Sequence, residues 1–240
     1  MSEENEKRIN EYLCECGSKV KICKGLGSTE LMAAATQSFQ ECYPIGSVGI
    51  PLVKTNCRIE DTETGEELTY GAQGELCFTG PTLMNGYYNN QEATDAIISK
   101  DRDGQRWLHT GDIGYMDPDG VVFVTGRIKR ILMTRGRDGN ITKIFPDRIE
   151  KVISQHKNVE LCCAIGVQDD ERIHYPVAFV MLESGSQRKE QITEEILALC
   201  RDGLPDYMVP DKIIFRDDLP RTKRGKIDYR ALEQIVMLKP

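Results

Sequence analysis

Four short segments carry the residue types that chemistry needs. Gly25-Leu26-Gly27-Ser28-Thr29-Glu30 puts glycines, which let a backbone approach a ligand closely, beside two hydroxyls and a carboxylate. That combination suits a phosphate group, and it describes equally well a Ser/Thr cap with an early Glu leading into a helix. It matches neither a Walker A loop nor Gly-x-Gly-x-x-Gly. Trp107-Leu108-His109-Thr110-Gly111-Asp112 sets a carboxylate in a glycine turn between strands, where it can accept both hydrogen bonds of a vicinal diol or simply cap the turn. Gly126-Arg127-Ile128-Lys129-Arg130 and Thr222-Lys223-Arg224-Gly225-Lys226-Ile227-Asp228 place cations beside glycines, a pattern suited to anions.

These segments need elements to hold them. Residues 3 to 14 are expected to form a helix with Ile9, Tyr12 and Leu13 near one face, ended by Gly17 ahead of an apolar strand at Val20 to Cys23. From Ser47 to Thr125, short strands punctuated by Thr64-Gly65, Asp103-Gly104 and Asp119-Gly120 predict a small antiparallel sheet or barrel, with one helix over Gln91 to Ile98. Beyond Arg127, Pro146 opens a helix running to about His156, Val159 to Val167 and Pro176 to Leu182 are continuous apolar strands, and helix Glu190 to Arg201 and strand Lys212 to Phe215 follow. The expected class is mixed α/β: a small antiparallel, β-barrel-like subdomain over residues 1–128, then an α+β domain over 129–240, large enough to bury its own core.

With 240 residues, 40% hydrophobic and 29% charged, the chain has the composition of a globular protein. A net charge of -7 with scattered cations disfavours nucleic acid as a partner. No apolar run approaches the roughly 20 residues of a membrane span, and the acidic start Met1-Ser2-Glu3-Glu4 is unlike a signal peptide, so a cytoplasmic protein is expected. The nine cysteines are odd in number, contain no Cys-x-x-Cys pair and fall partly inside apolar strands. Those in the strands, Cys77, Cys162 and Cys163, read as small buried hydrophobes, and no metal is assigned to the cysteines.

Joined in order with Gly74-Glu75-Leu76 and with Gly80-Pro81-Thr82-Leu83-Met84-Asn85-Gly86-Tyr87-Tyr88-Asn89-Asn90, the segments resemble consecutive core motifs of the adenylate-forming superfamily, which contains acyl-CoA synthetases, luciferases and peptide-synthetase adenylation domains. The resemblance runs from about Gly17 to Leu232. It implies that Thr29 contacts the AMP phosphate and Glu30 binds magnesium, with Leu26, Gly27 and Ser28 beside the nucleotide. Leu26 stands where the family usually carries an aromatic residue, so adenine packing there would be apolar rather than stacked. Asp112 matches the aspartate that holds the ribose hydroxyls, and Arg127 the arginine on the same nucleotide. Lys129 falls where the C-terminal domain swings as a mobile lid. Either Gly136 or Gly139, in a loop several residues longer than usual, would line the pantetheine channel, and Pro146 with Glu150 match the Pro-x-x-x-Glu that opens the next helix. Lys226 matches the terminal Gly-Lys motif, whose lysine reaches the reacting carboxylate and phosphate oxygens.

The activity so implied activates a fatty or aryl carboxylic acid with ATP and Mg2+ to an acyl adenylate, then transfers it to CoA with release of AMP. The family's phosphate loop and acyl pocket lie upstream of the Thr-Glu motif, and residues 1–24 supply neither. The chain is therefore expected to depend on a missing N-terminal half and to be inactive alone. Two other readings are an enzyme loading a phosphopantetheine carrier protein and a noncatalytic nucleotide-binding module. Gly-Tyr-Tyr-Asn-Asn and the simple end at Pro240 favour the CoA ligase.

Overall fold

The computed structural model describes residues 3–39, 43–136, 139–184, 188–223 and 225–237. The chain divides into two compact units, Met1–Lys129 and Arg130–Pro240.

The first unit opens with helix α1 (Glu3–Glu15). The face expected to be apolar is at the surface, with Tyr12 65% exposed and Ile9 also exposed. Polar contacts hold the helix instead: the buried Glu6 pairs with Lys24 at 2.5 Å and accepts a hydrogen bond from Gly46 N, and Asn10 Oδ1 accepts from Ile22 N. The strand expected at Val20 to Cys23 does not form. The Ile22 and Lys24 amides donate to the side chains of Asn10 and Ser38 rather than to a neighbouring strand.

Strands β1 (Thr36–Gln37) and β2 (Ile50–Pro51) pair with each other. The main sheet is built from β3 (Asn56–Glu60), β4 (Gly74–Thr79), β5 (Ile98–Lys100), β6 (Arg106–Met116) and β7 (Val122–Arg127). Its order is β3-β4-β6-β5, with β7 also on β6, and all pairs are antiparallel. The sheet is open, and no ladder among the described residues closes it into a barrel. Ile59, Leu76, Phe78 and Leu108 cover one face and pack with Leu31, Ala35 and Val122. Helix α2 is shorter than expected, Gln91–Asp95, because Ile97 and Ile98 are drawn onto this core and Ile98 begins β5 opposite Leu108.

In the second unit β8 (Leu132–Arg135) and β9 (Ile141–Ile144) form a hairpin, so the extra loop length noted in the sequence is a turn between two strands. Helix α3 (Pro146–Ile153) begins at its proline, whose missing amide costs nothing in a first turn. Strands β10 (Val159–Asp169) and β11 (Ile173–Leu182) pair antiparallel, and β12 (Lys212–Phe215) adds in parallel to β11. Cys162, Ala164, Ala178 and Val180 face α3 and helix α4 (Lys189–Gly203), burying Ile149, Ile153, Ile192, Ile196 and Cys200. The alternate residues Cys163, Ile165, Val177 and Phe179 face Leu219 and helix α5 (Tyr229–Met237) through Leu232. Covering both faces explains why these strands read as unbroken apolar runs, since side chains alternate sides along a strand.

Candidate active site

The Gly25–Glu30 segment folds back on the chain that follows it. Ala35 N and Thr36 N both donate to Leu26 O, and Leu26 N donates to Thr36 Oγ1, which itself donates to Val48 O. A Cβ on Gly27 would lie 1.6 Å from Ala33 O, so only glycine lets the two stretches touch. The helix expected after Glu30 is a single 3₁₀ turn, Thr29–Leu31, ended by Met32 in the left-handed region. Ser28 precedes it without a side-chain cap. Its Oγ is shielded from solvent with no hydrogen bond of good geometry, although it stands near enough to Glu30 to help hold that carboxylate ionised. Leu26 packs against the core of the first unit, and Leu31 is part of that core.

Glu30 has a partner that the sequence did not announce. Tyr87 Oη donates to Glu30 Oε1 at 2.5 Å, and Met84 N donates to Glu30 O. The tyrosine hydrogen bond holds the Glu30 carboxyl below the usual carboxylate range against the opposing pull of desolvation, and it raises the Tyr87 phenol. A folded-state pKa below the unfolded one gives stability that is present above the unfolded-state value and lost as pH falls through the folded one. Tyr87→Phe is expected to return Glu30 toward its ordinary value and to lose stability at neutral pH but not below the folded-state pKa, as a carbon-detected NMR titration paired with denaturant melts would show. An unmoved Glu30 titration would contradict this.

Asp112 lies inside β6 rather than in a turn between strands. β4 advances two residues from Glu75 to Cys77 while β6 advances four between their partners, Ile113 and His109. The extra residues form a bulge at which Gly111 takes φ +70, open to glycine at little cost. Glu75 Oε1 accepts from Gly111 N at 2.8 Å, and Thr110 Oγ1 donates to Leu76 O and accepts from Asp112 N. The bulge is thus pinned on both sides. Asp112, 5% exposed, sits opposite Arg127 across the β6–β7 ladder and pairs with its Nε at 2.8 Å, while the guanidinium is largely exposed.

The other expected residues are placed one by one. Lys129 is exposed in the 3₁₀ turn Ile128–Arg130. Gly136 and Gly139 are in the β8–β9 turn, where Gly139 N donates to Gly136 O and Gly136 N to Asn140 O. Lys226 is exposed in a turn closed by Thr222 N donating to Lys226 O at 2.7 Å and by the Arg221–Ile227 bridge, and its ammonium makes no ion pair with a described residue. Arg224 lies outside the described residues. Arg130 and Glu150 form a partly buried pair, with Arg130 Nη2 donating to Glu150 Oε1 at 2.6 Å and Nη1 to Asp147 Oδ1 at 2.7 Å. Sequence reasoning missed Glu75 and Tyr87 as supports. The Gly-Glu-Leu and Gly-Tyr-Tyr motifs marked their positions, but only the folded sheet and loops reveal their partners.

Two family profiles match: "AMP-binding enzyme" over residues 1–88 and "AMP-binding enzyme C-terminal domain" over residues 148–226. A long-chain-fatty-acid–CoA ligase of Bacillus subtilis is 37% identical over 214 residues, which cover 88% of this chain and 36% of that protein. The chain belongs to the adenylate-forming superfamily. Its breadth shows in the luciferin 4-monooxygenase of Photinus pyralis, 32% identical over 96% of this chain and 40% of that protein. Among solved structures, an ATP-bound RpMatB-BxBclM chimera superposes with a TM-score of 0.84 at 28% identity, covering 99% of this chain and 44% of that one. The chain therefore spans less than half the length of these relatives. No helix among its described residues is long and apolar enough to cross a membrane.

Proposed function

We propose that this chain carries part of the nucleotide site and the C-terminal lid of an AMP-forming acid–thiol ligase, with residues 1–128 belonging to the AMP-binding domain and 129–240 to the lid. The observation that carries the reading is Asp112: a carboxylate held on a pinned bulge beside an exposed arginine suits a ribose diol next to a phosphate. Thr29 and Ser28 offer hydroxyls to the α-phosphate. Glu30, kept ionised, fits a magnesium ion, which would screen phosphate charge when bound. In the first step a carboxylate oxygen attacks the α-phosphorus and pyrophosphate leaves. Lys226, exposed on its closed turn, offsets the charge that develops there. In the second step a thiol sulfur attacks the acyl carbon and AMP leaves, after the lid turns about Lys129 to present the Gly136–Gly139 turn.

Relatives named as long-chain-fatty-acid and 2-succinylbenzoate CoA ligases support a fatty or aryl acid as substrate and CoA as the thiol. A phosphopantetheine carrier presents the same thiol. Leu26, aliphatic and packed on the core, favours weak adenine binding.

Residues 3–24 form α1 and a stretch tied down by polar side chains, and the sequence of residues 1–24 contains no glycine- and hydroxyl-rich phosphate loop. The purified 240-residue chain is accordingly expected to give no ATP–pyrophosphate exchange with a panel of fatty and aryl acids. Exchange above background would show that the residues present suffice for adenylation.

A further inference from the structure

The face of the main sheet turned away from its apolar core holds a cluster whose one link to the Asp112 bulge is Glu75, through its bond from Gly111 N. Directly paired residues of a ladder point to the same side, so the pairs Glu60↔Glu75 and Cys77↔His109 put all four side chains on one face. One ligand atom each from Glu60, Cys77 and His109 lies within 4.8 Å of the others. His109 Nδ1 is 3.5 Å from Cys77 Sγ, 3.7 Å from Glu60 Oε2 and 3.1 Å from Glu75 Oε2. A sulfur and a nitrogen bound tetrahedrally at about 2.3 and 2.0 Å stand roughly 3.5 Å apart, so these separations match the edges of a zinc coordination shell. Glu60 is 5% exposed, and although its Oε1 pairs with Arg58, that oxygen makes no hydrogen bond of good geometry.

We propose that Glu60, Cys77 and His109, with Glu75 beside them, bind one divalent cation of the zinc class. The donor set of thiol, imidazole and carboxylate selects zinc or cobalt over magnesium or calcium, which take oxygen ligands. Ser99 Oγ, 2.8 Å from His109 Nε2, can accept a hydrogen bond from Nε2–H and so leave the Nδ1 lone pair for the metal. Partial exposure of His109 and Glu75 gives the ion a way in. Binding displaces the thiol proton of Cys77, and the imidazole proton where His109 is charged, into solvent. Affinity therefore rises with pH. Cys77 is fully buried, and burial pushes its thiol well above the ordinary range, so without an ion it stays protonated.

The test uses the full chain with the exposed Cys14, Cys16 and Cys23, and also Cys42, replaced by Ser to remove competing thiols. Titration with Co2+ is expected to give one equivalent bound and a sulfur-to-cobalt charge-transfer band, both abolished by one equivalent of Zn2+. Cys77→Ala should remove the band, and Cys77→Ala and His109→Gln should each weaken Zn2+ binding by more than the about 10- to 100-fold typical of losing an outer-shell partner. Circular dichroism and denaturant midpoints establish that each variant folds, and His109→Gln, at a partly exposed position, decides the matter if Cys77→Ala does not fold. Absence of stoichiometric binding at pH 8, or binding unchanged in the folded variants, overturns the proposal.

Discussion

Asp112→Ala is expected to weaken AMP binding by more than about 100-fold in an isothermal titration with magnesium present. Hydrogen bonds to a charged group contribute about 1.5–3 kcal/mol each, and a diol would make two to this carboxylate, whereas about 1.4 kcal/mol corresponds to tenfold in Kd. The fold should survive, because Glu75 and Thr110 pin the bulge through the Gly111 and Asp112 amides, which the variant keeps. The ion pair lost with Arg127 is largely solvated on the arginine side and worth little. Equal affinity in the variant would remove Asp112 from the ribose site. No heat from either protein would mean that nucleotide affinity depends on residues this chain does not supply.

Arg130→Met is expected to be the most damaging substitution in the second unit. Burial works against the Arg130 charge, but its hydrogen bond to Glu150 and the charges of Glu150 and Asp147 more than offset that and raise its pKa. The guanidinium also donates to Ala164 O and lies 4.1 Å from the Tyr229 ring centre, while Glu150 accepts from Ala164 N at 2.8 Å. Methionine fills much of the volume yet leaves the partly buried Glu150, whose carboxyl desolvation already pushes upward, without its cation, a loss of about 3 kcal/mol, the low end for a buried pair. A fall of more than about 10 °C in the unfolding midpoint of this unit follows. Adding Glu150→Leu should recover a large part of it, because an apolar pair replaces an uncompensated charge. A midpoint within two or three degrees of the parent, roughly the effect of an ordinary surface change, would show that the pair is not what holds α3 to β10.

What the sequence revealed, and what it hid, follows from how local each signal is. Strands β10 and β11 were legible because both faces of their sheet are covered, leaving apolar residues at successive positions, and Pro146 marked the start of α3. The β8–β9 hairpin went unread because apolar residues do not alternate on either side of Gly136 to Asn140: Ile131, Leu132 and Met133 are consecutive, and Ile141 and Ile144 stand three apart. Gly111 signalled positive φ, but a turn and a bulge use glycine alike, and only the shift between Cys77↔His109 and Glu75↔Ile113 separates them. Asp112 and Arg127 stood out as types. Their pairing belongs to the β6–β7 ladder, just as the Tyr87–Glu30 bond belongs to a loop closure of 57 residues that no local window contains.

The even size of the β6 bulge limits how this sheet can vary in length. Because β4 advances by two residues and β6 by four, side chains keep their sides across the irregularity: His109 before it and Ile113 after it both lie on the face of Glu75 and Cys77. Removing or adding one residue among Thr110, Gly111 and Asp112 would turn one half of β6 over, trading Leu108 for His109 against the core or displacing Asp112 from Arg127. Side chains in this stretch can be exchanged singly, whereas single-residue insertions and deletions are excluded, so natural length variation should fall in the neighbouring turns at Asp103-Gly104 and Asp119-Gly120.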